Sequence, residues 1–421
     1  MLHKTKNTIK TALFILLAAF TMACSNDDDA LSEIPSPSEI QTQEDLTSYL
    51  QQVLDAKEVA GFAVTLVKNN SVTYSNAFGL KNIEQDEIFS NQTVINIASL
   101  SKTYVAAATA KAIEQGYFTL DTPINQLLPV DIVNLKNPEA IITVKHLVTH
   151  TSGIIDDANT YITTNYFVLP NQDMSTPGAD ILVNQLGLSI TNPVPLEEYL
   201  AEYFVEDGEL YGEANFIDVV PGSTWSYSNV ATSLMGFVIE SATEIDFATY
   251  VQSNIIKPLQ MNNTTFNVLE VDFAQTAVPY LDRNTPLPFY GNHGYPEGSI
   301  HTTNNDLSNY LLDMVKGIKG QSNTLFPNEY YQLLFTEQLE DNITPDFFAD
   351  NHGIYWYKKN NNWSHGGNSL GVSSHIQIEA DGSYGFSIIA NVDATFSDNT
   401  PKWEEVLQLV TQGIQEYIQN S

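Results

Sequence analysis

Residues 98–115 read ASLSKTYVAAATAKAIEQ, an alanine-rich stretch that predicts a helix closed by Gly116. Ser99 and Lys102 stand three residues apart, so their side chains share one face of that helix. Free backbone N–H groups and the dipole at the helix N-terminus stabilise negative charge beside Ser99. Because a desolvated lysine can take the proton of a serine, the pattern predicts a nucleophile and its base. The alternative is a surface helix with an N-cap serine and a solvated lysine.

Strand patterns lie on both sides of this helix, near the two ends of the chain. Runs rich in β-branched and aromatic residues predict strands at 61–68, 72–78, 375–379 and 384–391. Asn69-Asn70 joins the first pair, and Asp381-Gly382 lies between the second pair. Such turn residues between two strands predict one hairpin near each end of the fold.

Apolar residues at helical spacing predict one further helix at each end. The first stripe is Leu46, Tyr49, Leu50, Val53 and Leu54, and the last is Trp403, Val406, Leu407, Val410, Ile414, Tyr417 and Ile418. We therefore expect an α+β fold, with an antiparallel sheet built from N- and C-terminal segments and flanked by the terminal helices. A mainly helical lobe, 98–289, is inserted into the sheet lobe, 43–97 and 290–421, which together make one domain over 43–421. Ser99 then lies in the cleft between the lobes.

The chain has 421 residues, more than a single hydrophobic core usually organises, which also favours two lobes. Within the helical lobe, the segment 153–195 contains Tyr161, Tyr166 and Phe167 and is predicted as a long loop. Loops of this length are usually functional or disordered, so a lid is one interpretation of this segment.

Tyr227-Ser228-Asn229 is a second candidate site segment. Residues i and i+2 of an extended segment point the same way, so the Tyr227 phenol and the Asn229 amide would face one site. A phenol beside the Lys102 ammonium can shuttle a proton between nucleophile and leaving group. Asn229 is expected to hold Lys102 and a substrate amide. Tyr74 and Tyr290 begin the same Tyr-x-Asn pattern, and Tyr227 is favoured although the spacing alone does not choose it.

His365-Gly366-Gly367-Asn368 comes just before the last hairpin. Glycines in a strand allow a ligand to approach the backbone closely, so these four residues are candidate substrate-binding residues. The Asn368 N–H, paired with the Ser99 N–H, would form an oxyanion hole, which is often the largest contribution to catalysis. The alternative is a glycine turn beside an exposed histidine.

Taken in order, these motifs resemble those of the serine β-lactamases of class C and the related D-alanyl-D-alanine carboxypeptidases, D-aminopeptidases and esterases. The matching segments are Ser99-Leu100-Ser101-Lys102, His146 to Gly153, Tyr227-Ser228-Asn229, Lys257-Pro258-Leu259, Gly298-Ser299 with Thr302 and Asp306, and His365-Gly366-Gly367. The resemblance covers about residues 43–420. It implies an acyl-enzyme mechanism, a sheet with a helical lobe, and neither metal nor cofactor.

His365 departs from the pattern of the β-lactamases and penicillin-binding proteins, which usually carry a lysine there. A lysine gives a fixed cation for a substrate carboxylate, whereas neutral histidine gives only a hydrogen bond at pH 7. Histidine is common among the esterase and peptidase branches. The substrate is therefore left open among β-lactam, D-Ala peptide, D-amino amide and ester.

Ser369 offers a competing nucleophile, because Gly367-Asn368-Ser369-Leu370-Gly371 matches the elbow of the α/β-hydrolases. That elbow requires a helix next, but residues 372–379 are predicted as a strand. The last histidine, His375, also follows Ser369 with no acid between them. Both features argue against the elbow.

His146 and His150 stand four residues apart, as two metal ligands on one helix face do. The glutamate of the His-Glu-x-x-His motif is absent, and a loop follows immediately. A structural turn held by His150 is the favoured interpretation, and no metal site is predicted.

The expected function is that of a serine hydrolase, of carboxypeptidase, esterase or β-lactamase type, acting on a small-molecule or peptide substrate. Ser99 would attack an ester, peptide or lactam carbonyl while Lys102 and Tyr227 share its proton. The alternative is a catalytically weak, penicillin-binding-type protein that binds or senses its ligand.

Residues 1–23 combine Lys4, Lys6 and Lys10 with a short apolar run, as an export signal does. Cys24 follows directly and is the only cysteine, so this segment resembles a bacterial lipoprotein signal with Cys24 as the lipidated residue. The polar, acidic segment 24–42 resembles the tether of surface-exported lipoproteins. We expect an outer-membrane lipoprotein, on the periplasmic or cell-surface face; the alternative is an ordinary secretory signal.

The chain is strongly acidic, with a formal net charge of −33 at pH 7. Phosphate backbones and anionic lipid surfaces repel such a protein, which argues against nucleic acid as a partner. A membrane contact is therefore expected through the N-terminal lipid alone.

Overall fold

The computed structural model describes residues 37–421 apart from residues 58, 323, 346–348 and 397. The export signal, Cys24 and most of the tether lie outside these residues. The α-helices are α1 (Gln43–Lys57), α2 (Lys102–Glu114), α3 (Val144–Val148), α4 (Tyr161–Asn165), α5 (Pro177–Ala179), α6 (Leu196–Phe204), α7 (Asn229–Thr243), α8 (Phe247–Val251), α9 (Asn304–Ile318), α10 (Asn328–Leu334) and α11 (Thr400–Asn420). No helix among the described residues is long and apolar enough to cross a membrane.

The strands form one large antiparallel sheet and three small ones. They are β1 (Gly61–Lys68), β2 (Ser71–Asn82), β3 (Glu87–Ile88), β4 (Ile95–Asn96), β5 (Tyr166–Val168), β6 (Ser189–Ile190), β7 (Tyr280–Asp282), β8 (Thr285–Pro286), β9 (Tyr290–Asn292), β10 (His301–Thr302), β11 (Asn351–His352), β12 (Tyr357–Lys359), β13 (Asn362–Ser369), β14 (Val372–Glu379) and β15 (Tyr384–Ala390). The large sheet has the order β11-β12-β13-β14-β15-β1-β2-β3.

The middle of this sheet joins the two ends of the chain. Strand β1 pairs with β2 on one side and with β15 on the other, both antiparallel. Asn69 and Asn70 turn the first hairpin with φ of 55° and 60°, and Gly382 turns the last with φ of 68°. These conformations suit asparagine and glycine, so the turn residues fix both hairpins. The predicted sheet from both chain ends is confirmed.

Alternation along β1 divides the core into two layers. Phe62, Val64 and Leu66 face the two terminal helices, α1 and α11. Ala63 and Val67 face the opposite side, against which α9 packs. Successive side chains of a strand point to opposite faces, so one buried strand serves both layers. The expectation that the terminal helices cover one face of the sheet is confirmed.

Helix α2 lies in the interior of the helical lobe. Its alanines 106, 107, 108 and 110 are fully buried, because small side chains let neighbouring helices approach closely. Lys102, at its start, is also 0% exposed. The alternative of a surface helix with a solvated lysine is therefore wrong.

Two local expectations for the helical lobe need correction. The helix predicted from residue 98 begins as a 3₁₀ turn, Ala98–Ser101, and becomes α-helical at Lys102. The segment 153–195, predicted as a long loop, contains α4, α5 and the strands β5 and β6. Strand β5 pairs with β6 and β9, and these strands of two or three residues are too short to show a periodic pattern in the sequence.

Candidate active site

Ser99 lies in the strained turn that leads from the sheet lobe into α2. Ala98, just before it, has φ of 49°, a left-handed conformation that a side chain disfavours. The Ala98 N–H donates to Asn96 Oδ1 at 2.8 Å, which holds the turn. On the sheet side, the Ser374 hydroxyl donates to the Ile97 carbonyl at 2.7 Å. The turn is thus fixed from two directions and leaves Ser99 half-buried.

Three of the candidate residues meet at the Ser99 hydroxyl. Lys102 Nζ donates to Ser99 Oγ at 3.1 Å, and the Tyr227 hydroxyl donates to the same oxygen at 2.9 Å. Lys102 Nζ also lies 4.9 Å from the centre of the Tyr227 ring. Residues far apart in the chain therefore form one contiguous nucleophile and acid–base group.

Asn229 connects Lys102 to a carboxylate that sequence reasoning missed. Its Oδ1 accepts from Lys102 Nζ at 2.7 Å, while its Nδ2 donates to Asp156 Oδ2 at 2.8 Å. Asp156 also accepts from the backbone N–H groups of Asn229 and Val230, at the start of α7. An acid at a helix N-terminus is stabilised by those N–H groups and the dipole. Asp156 therefore sets the orientation of the Asn229 amide.

Glu297 is the second carboxylate that the sequence did not reveal. Its backbone carbonyl accepts from Lys102 Nζ at 2.7 Å, and its Oε2 lies 3.3 Å from the same nitrogen. The residue is 2% exposed. Its only sequence signal was its place directly before Gly298-Ser299, and one glutamate among 50 acidic residues carried no further mark.

Strand β13 brings the glycine segment against the Ser99 turn. A Cβ atom on Gly367 would lie 2.3 Å from the Ile97 carbonyl oxygen and 2.9 Å from the Leu100 nitrogen. Glycine is therefore required at 367 by the close approach of the Ser99 turn, whereas approach of a ligand to this segment stays a prediction. Asn368 is the next residue, and its buried Oδ1 has no hydrogen-bond partner among the described residues. The pairing of the Ser99 and Asn368 N–H groups as an oxyanion hole stays a prediction.

His365 lies in the same strand and is 1% exposed. Its Nδ1 donates to the Gly366 carbonyl at 2.6 Å, so its Nε2 is the acceptor of a neutral ring. Burial, and then the charge of Lys102, holds the pKa of His365 well below its usual range. The Tyr357 ring stacks on His365 with 4.9 Å between ring centres.

Opposing electrostatic effects act on the pKa values of Lys102 and Tyr227. Burial lowers the pKa of Lys102, while the charges of Glu297 and Asp156 counteract that decrease. Burial raises the pKa of the Tyr227 phenol well above its usual range, and its hydrogen bond to Ser99 opposes the rise. Burial therefore favours loss of the Lys102 proton, and the neighbouring carboxyl groups favour its retention.

A family model described as beta-lactamase matches residues 46–411. The chain belongs to the beta-lactamase family. This membership confirms the resemblance drawn from the ordered motifs.

Relatives of this beta-lactamase family member include Protein flp of Staphylococcus aureus (strain MW2), 24% identical over 375 residues. That match covers 87% of this chain and 66% of the relative. Esterase EstB of Burkholderia gladioli is 28% identical over 239 residues, 56% of this chain and 54% of the esterase. The octameric penicillin-binding protein homologue from Pyrococcus abyssi has a similar fold, with a TM-score of 0.66 and 23% identity over 87% of this chain and 77% of its own. Family and relatives support a serine hydrolase in general.

The competing candidates, Ser369 and Tyr74, form hydrogen bonds with residues other than Ser99. Ser369 ends β13 and is followed by strand β14, and its hydroxyl accepts from Tyr290 at 2.8 Å rather than from a histidine. Tyr74 shares a hydrogen bond of 2.9 Å with Thr47 of α1. Tyr227 is thus the member of the three Tyr-x-Asn segments that contacts Ser99.

His150 holds the Tyr227 segment to the loop after α3. Its carbonyl accepts from the Ser226 N–H at 2.7 Å, and its Nδ1 accepts from the Ser228 N–H at 3.3 Å. Its ring lies 4.6 Å from that of Tyr227. His146 instead accepts from the Thr143 N–H at the start of α3. The two histidines therefore stabilise separate turns.

Proposed function

We propose that this protein is a serine hydrolase that forms an acyl-enzyme on Ser99. The observation that carries the proposal is the Ser99 oxygen, which accepts hydrogen bonds from both Lys102 and Tyr227. A hydroxyl placed between a buried amine and a phenol has a proton acceptor on one side and a proton donor for the leaving group on the other.

The reaction follows from that placement. The Ser99 Oγ–H bond breaks and its proton passes to the Lys102–Tyr227 pair, while a bond forms between Oγ and the substrate carbonyl carbon. The carbonyl electron pair moves to oxygen, where the Ser99 and Asn368 N–H groups are proposed to stabilise it. When this electron pair re-forms the carbonyl double bond, the bond to the leaving group breaks and Tyr227 protonates that group. Water then hydrolyses the acyl-enzyme.

Neutral esters and amides are the substrates we propose within this class. His365 occupies the binding segment as a neutral ring, and burial keeps its pKa low. The neighbouring carboxylates Glu297 and Asp156 outnumber the Lys102 ammonium. A substrate carboxylate, which β-lactams and D-Ala-D-Ala peptides both carry, gains little there. The name of Esterase EstB, a relative over 56% of this chain, is consistent with an ester.

The nucleophile is tested by covalent labelling with a fluorophosphonate and with a fluorescent penicillin. We expect the fluorophosphonate to label the wild-type protein, with loss of labelling in Ser99→Ala and retention in Ser369→Ala. Mass spectrometry of the labelled peptide identifies the modified serine. Labelling that survives Ser99→Ala, or none of the wild-type protein by either probe, would contradict the proposal and favour the binding alternative.

A substrate panel then separates the hydrolase types. Nitrocefin, a D-Ala-D-Ala peptide, short D-amino amides and nitrophenyl esters differ in charge and leaving group. We expect the highest kcat/KM with the neutral esters. Preference for nitrocefin or the D-Ala-D-Ala peptide would overturn the proposed substrate class while leaving Ser99 as the nucleophile.

We also propose that the protein is anchored to the outer membrane by lipid on Cys24. The support is the export signal that ends directly before the single cysteine. Expression of the full chain in a Gram-negative host with radiolabelled palmitate tests this. We expect the lipid label and membrane fractionation to be lost in Cys24→Ala and retained in Ser25→Ala; an unlabelled wild-type protein would show an ordinary secretory signal.

A further inference from the structure

Lys102 has more hydrogen-bond acceptors around it than it has hydrogens. Asn229 Oδ1 and the Glu297 carbonyl oxygen are each 2.7 Å from Nζ. Ser99 Oγ lies at 3.1 Å and Glu297 Oε2 at 3.3 Å. The two short contacts occupy two hydrogens in either protonation state, since an amine has two and an ammonium three. The third position on the nitrogen holds a proton in the ammonium and a lone pair in the amine. Ser99 Oγ and the Glu297 carboxylate both lie within hydrogen-bond distance of this position.

The Glu297 carboxylate is held so that it cannot turn away. Its Oε1 accepts from the Tyr161 hydroxyl at 2.8 Å, from Asn292 Nδ2 at 2.8 Å and from Asn165 Nδ2 at 3.0 Å. Asn165 Oδ1 in turn accepts from the Gly294 N–H at 2.8 Å, which fixes the orientation of that amide. Three donors saturate Oε1 and stabilise the ionised carboxylate, leaving Oε2 directed at Lys102.

Two of these donors come from the segment 153–195. Tyr161 and Asn165 lie at the two ends of α4 and are both buried. The same segment carries Asp156, which orients Asn229. Part of the segment for which a lid was one interpretation therefore holds the two residues, Asn229 and Glu297, that contact Lys102.

We propose that Glu297 is a positioning residue whose carboxylate binds the third hydrogen of the Lys102 ammonium and so sets the pH at which Lys102 can take the Ser99 proton. This inference rests on the proposed function, because it needs Ser99 as the nucleophile. In the attack step, the Ser99 Oγ–H bond breaks, a third Nζ–H bond forms, and Glu297 Oε2 accepts the hydrogen bond of that new N–H.

Other titratable groups also face Lys102. The Tyr227 ring centre lies 4.9 Å from Lys102 Nζ. Asp156, His150 and His365 interact with Lys102 through its charge. Burial holds the pKa values of both histidines well below their usual range, so they stay neutral near pH 7. Burial raises that of Tyr227. Asp156 and Glu297 are the carboxyl groups that face Lys102, and Glu297 is the one whose side-chain oxygen contacts Nζ.

Glu297→Gln tests the proposal, because the variant keeps the backbone carbonyl and removes the negative charge. The measurement is the rate constant of fluorophosphonate labelling of Ser99 across pH; there the Oγ–P bond forms, P–F breaks and fluoride leaves. Loss of a neighbouring anion lowers the pKa of a lysine, so Lys102 becomes neutral at lower pH. The acid limb of the pH–rate profile is the range in which labelling becomes faster as Lys102 loses its proton. We expect this limb to move down by about one to three pH units. The labelling rate at the alkaline plateau should also decrease, because a weaker base takes the proton less readily.

Tyr161→Phe gives the opposite sign and keeps the packing of the ring. Removing one donor from Oε1 makes the carboxylate more basic, so Lys102 holds its proton to higher pH. We expect the acid limb to move up in this variant. Asp313→Asn is the matched control, since Asp313 is another buried acid, held by Ser322 and Tyr331. Its acid limb should match that of the wild type.

The outcomes separate the inference from the function on which it rests. Limbs that shift down in Glu297→Gln and up in Tyr161→Phe support the positioning role. If Ser99 is labelled in the wild type and the acid limb of Glu297→Gln matches that of the wild type, the positioning role alone is overturned. If Glu297→Gln does not fold, an unchanged acid limb in Tyr161→Phe has the same meaning. Absence of labelling in the wild type, or labelling that persists in Ser99→Ala, overturns the proposed function instead.

Discussion

At the scale of single residues, the site is built by burying a lysine rather than by adding a separate base. Lys102 is 0% exposed, and two of the side chains that accept its hydrogen bonds, those of Asn229 and Glu297, are themselves held by buried partners. Burial alone makes an ammonium costly, and the surrounding acceptors offset part of that cost. The resulting balance is what allows one side chain to hold and release a proton.

Lys102→Ala removes the amine while leaving Tyr227 and the Ser99 turn in place. We expect kcat/KM with a nitrophenyl ester to fall about 10²–10⁴-fold, as loss of a positioned base does. Lys111→Ala, on the same helix, is the control, because Lys111 Nζ binds the Leu325 carbonyl away from Ser99. Near-normal turnover in Lys102→Ala would remove lysine from the proposed mechanism.

His301 is the residue for which we predict a pH dependence of stability. Burial lowers its pKa to about 4, whereas an unfolded chain has the usual value near 6.5. The unfolded state therefore binds more protons between these values, so this contribution is complete above pH 6.5 and is lost as the pH falls towards 4.

Urea unfolding of wild type and His301→Gln at pH 7 and pH 5 measures this contribution. We expect the loss of unfolding free energy on acidification to be smaller in the variant. The difference should be about 1.4 kcal/mol for each pH unit that lies between the folded and unfolded pKa values of His301. An equal loss in both proteins would show that His301 does not contribute.

The sequence predicted the residues that touch Ser99 but not those behind them. Ser99, Lys102 and Tyr227 belong to short motifs whose spacing has a chemical reason. Glu297 and Asp156 act through contacts with residues distant in the chain, and a lone acid in an acidic protein has no distinguishing pattern. Tyr227 was favoured among three Tyr-x-Asn segments of the same spacing, and the fold places it beside Ser99.

At the scale of elements, the clear predictions were those with strong periodicity. Strand β1 has the predicted bounds of residues 61–68, because its apolar run ends at asparagines that turn the hairpin. The terminal helices were predicted for the same reason. In 153–195, by contrast, the three-residue strand β5 gains stability from pairing with β9, a tertiary contact that local pattern does not encode.

Gly236 in α7 is the element-scale test of how the Lys102 environment is built. A Cβ there would lie 2.5 Å from Pro296 Cγ, in the turn that carries Glu297. Overpacking typically costs about 1–3 kcal/mol, more than the gain of up to about 1 kcal/mol from replacing a helical glycine. We expect Gly236→Ala to lower both the melting temperature and kcat/KM.

Gly413→Ala is the matched control for that substitution. A Cβ at Gly413 of α11 would lie 2.7 Å from the Tyr49 ring, on the face of the sheet away from the site. We expect a lower melting temperature with kcat/KM retained well below that temperature. Equal effects of the two alanines on activity would contradict a specific role for the Pro296 turn.

At the scale of the whole molecule, the dominant property is a formal net charge of −33. A field of one sign repels ions of the same sign over roughly 10 Å at 0.1 M salt and is weaker at higher ionic strength. This field acts on substrate approach in addition to the carboxylates within the site.

We therefore predict opposite salt dependence for substrates of different charge. The kcat/KM of an anionic nitrophenyl ester should rise with added sodium chloride, because screening reduces repulsion. A neutral ester of the same acyl length should respond little, and a cationic ester should lose kcat/KM. A common response of all three would point to an effect of salt on the enzyme rather than on substrate approach.

The pairing of β1 with β15 has a consequence for how the protein is made. The central strand β1 leaves the ribosome long before its second neighbour, β15, is translated. Until then β1 has an open edge, and Phe62, Val64 and Leu66 lack the cover of α11. An incomplete nascent chain thus exposes a strand edge and an apolar face together, which favours aggregation. A chain truncated before β15 is therefore expected to aggregate more readily than the full chain.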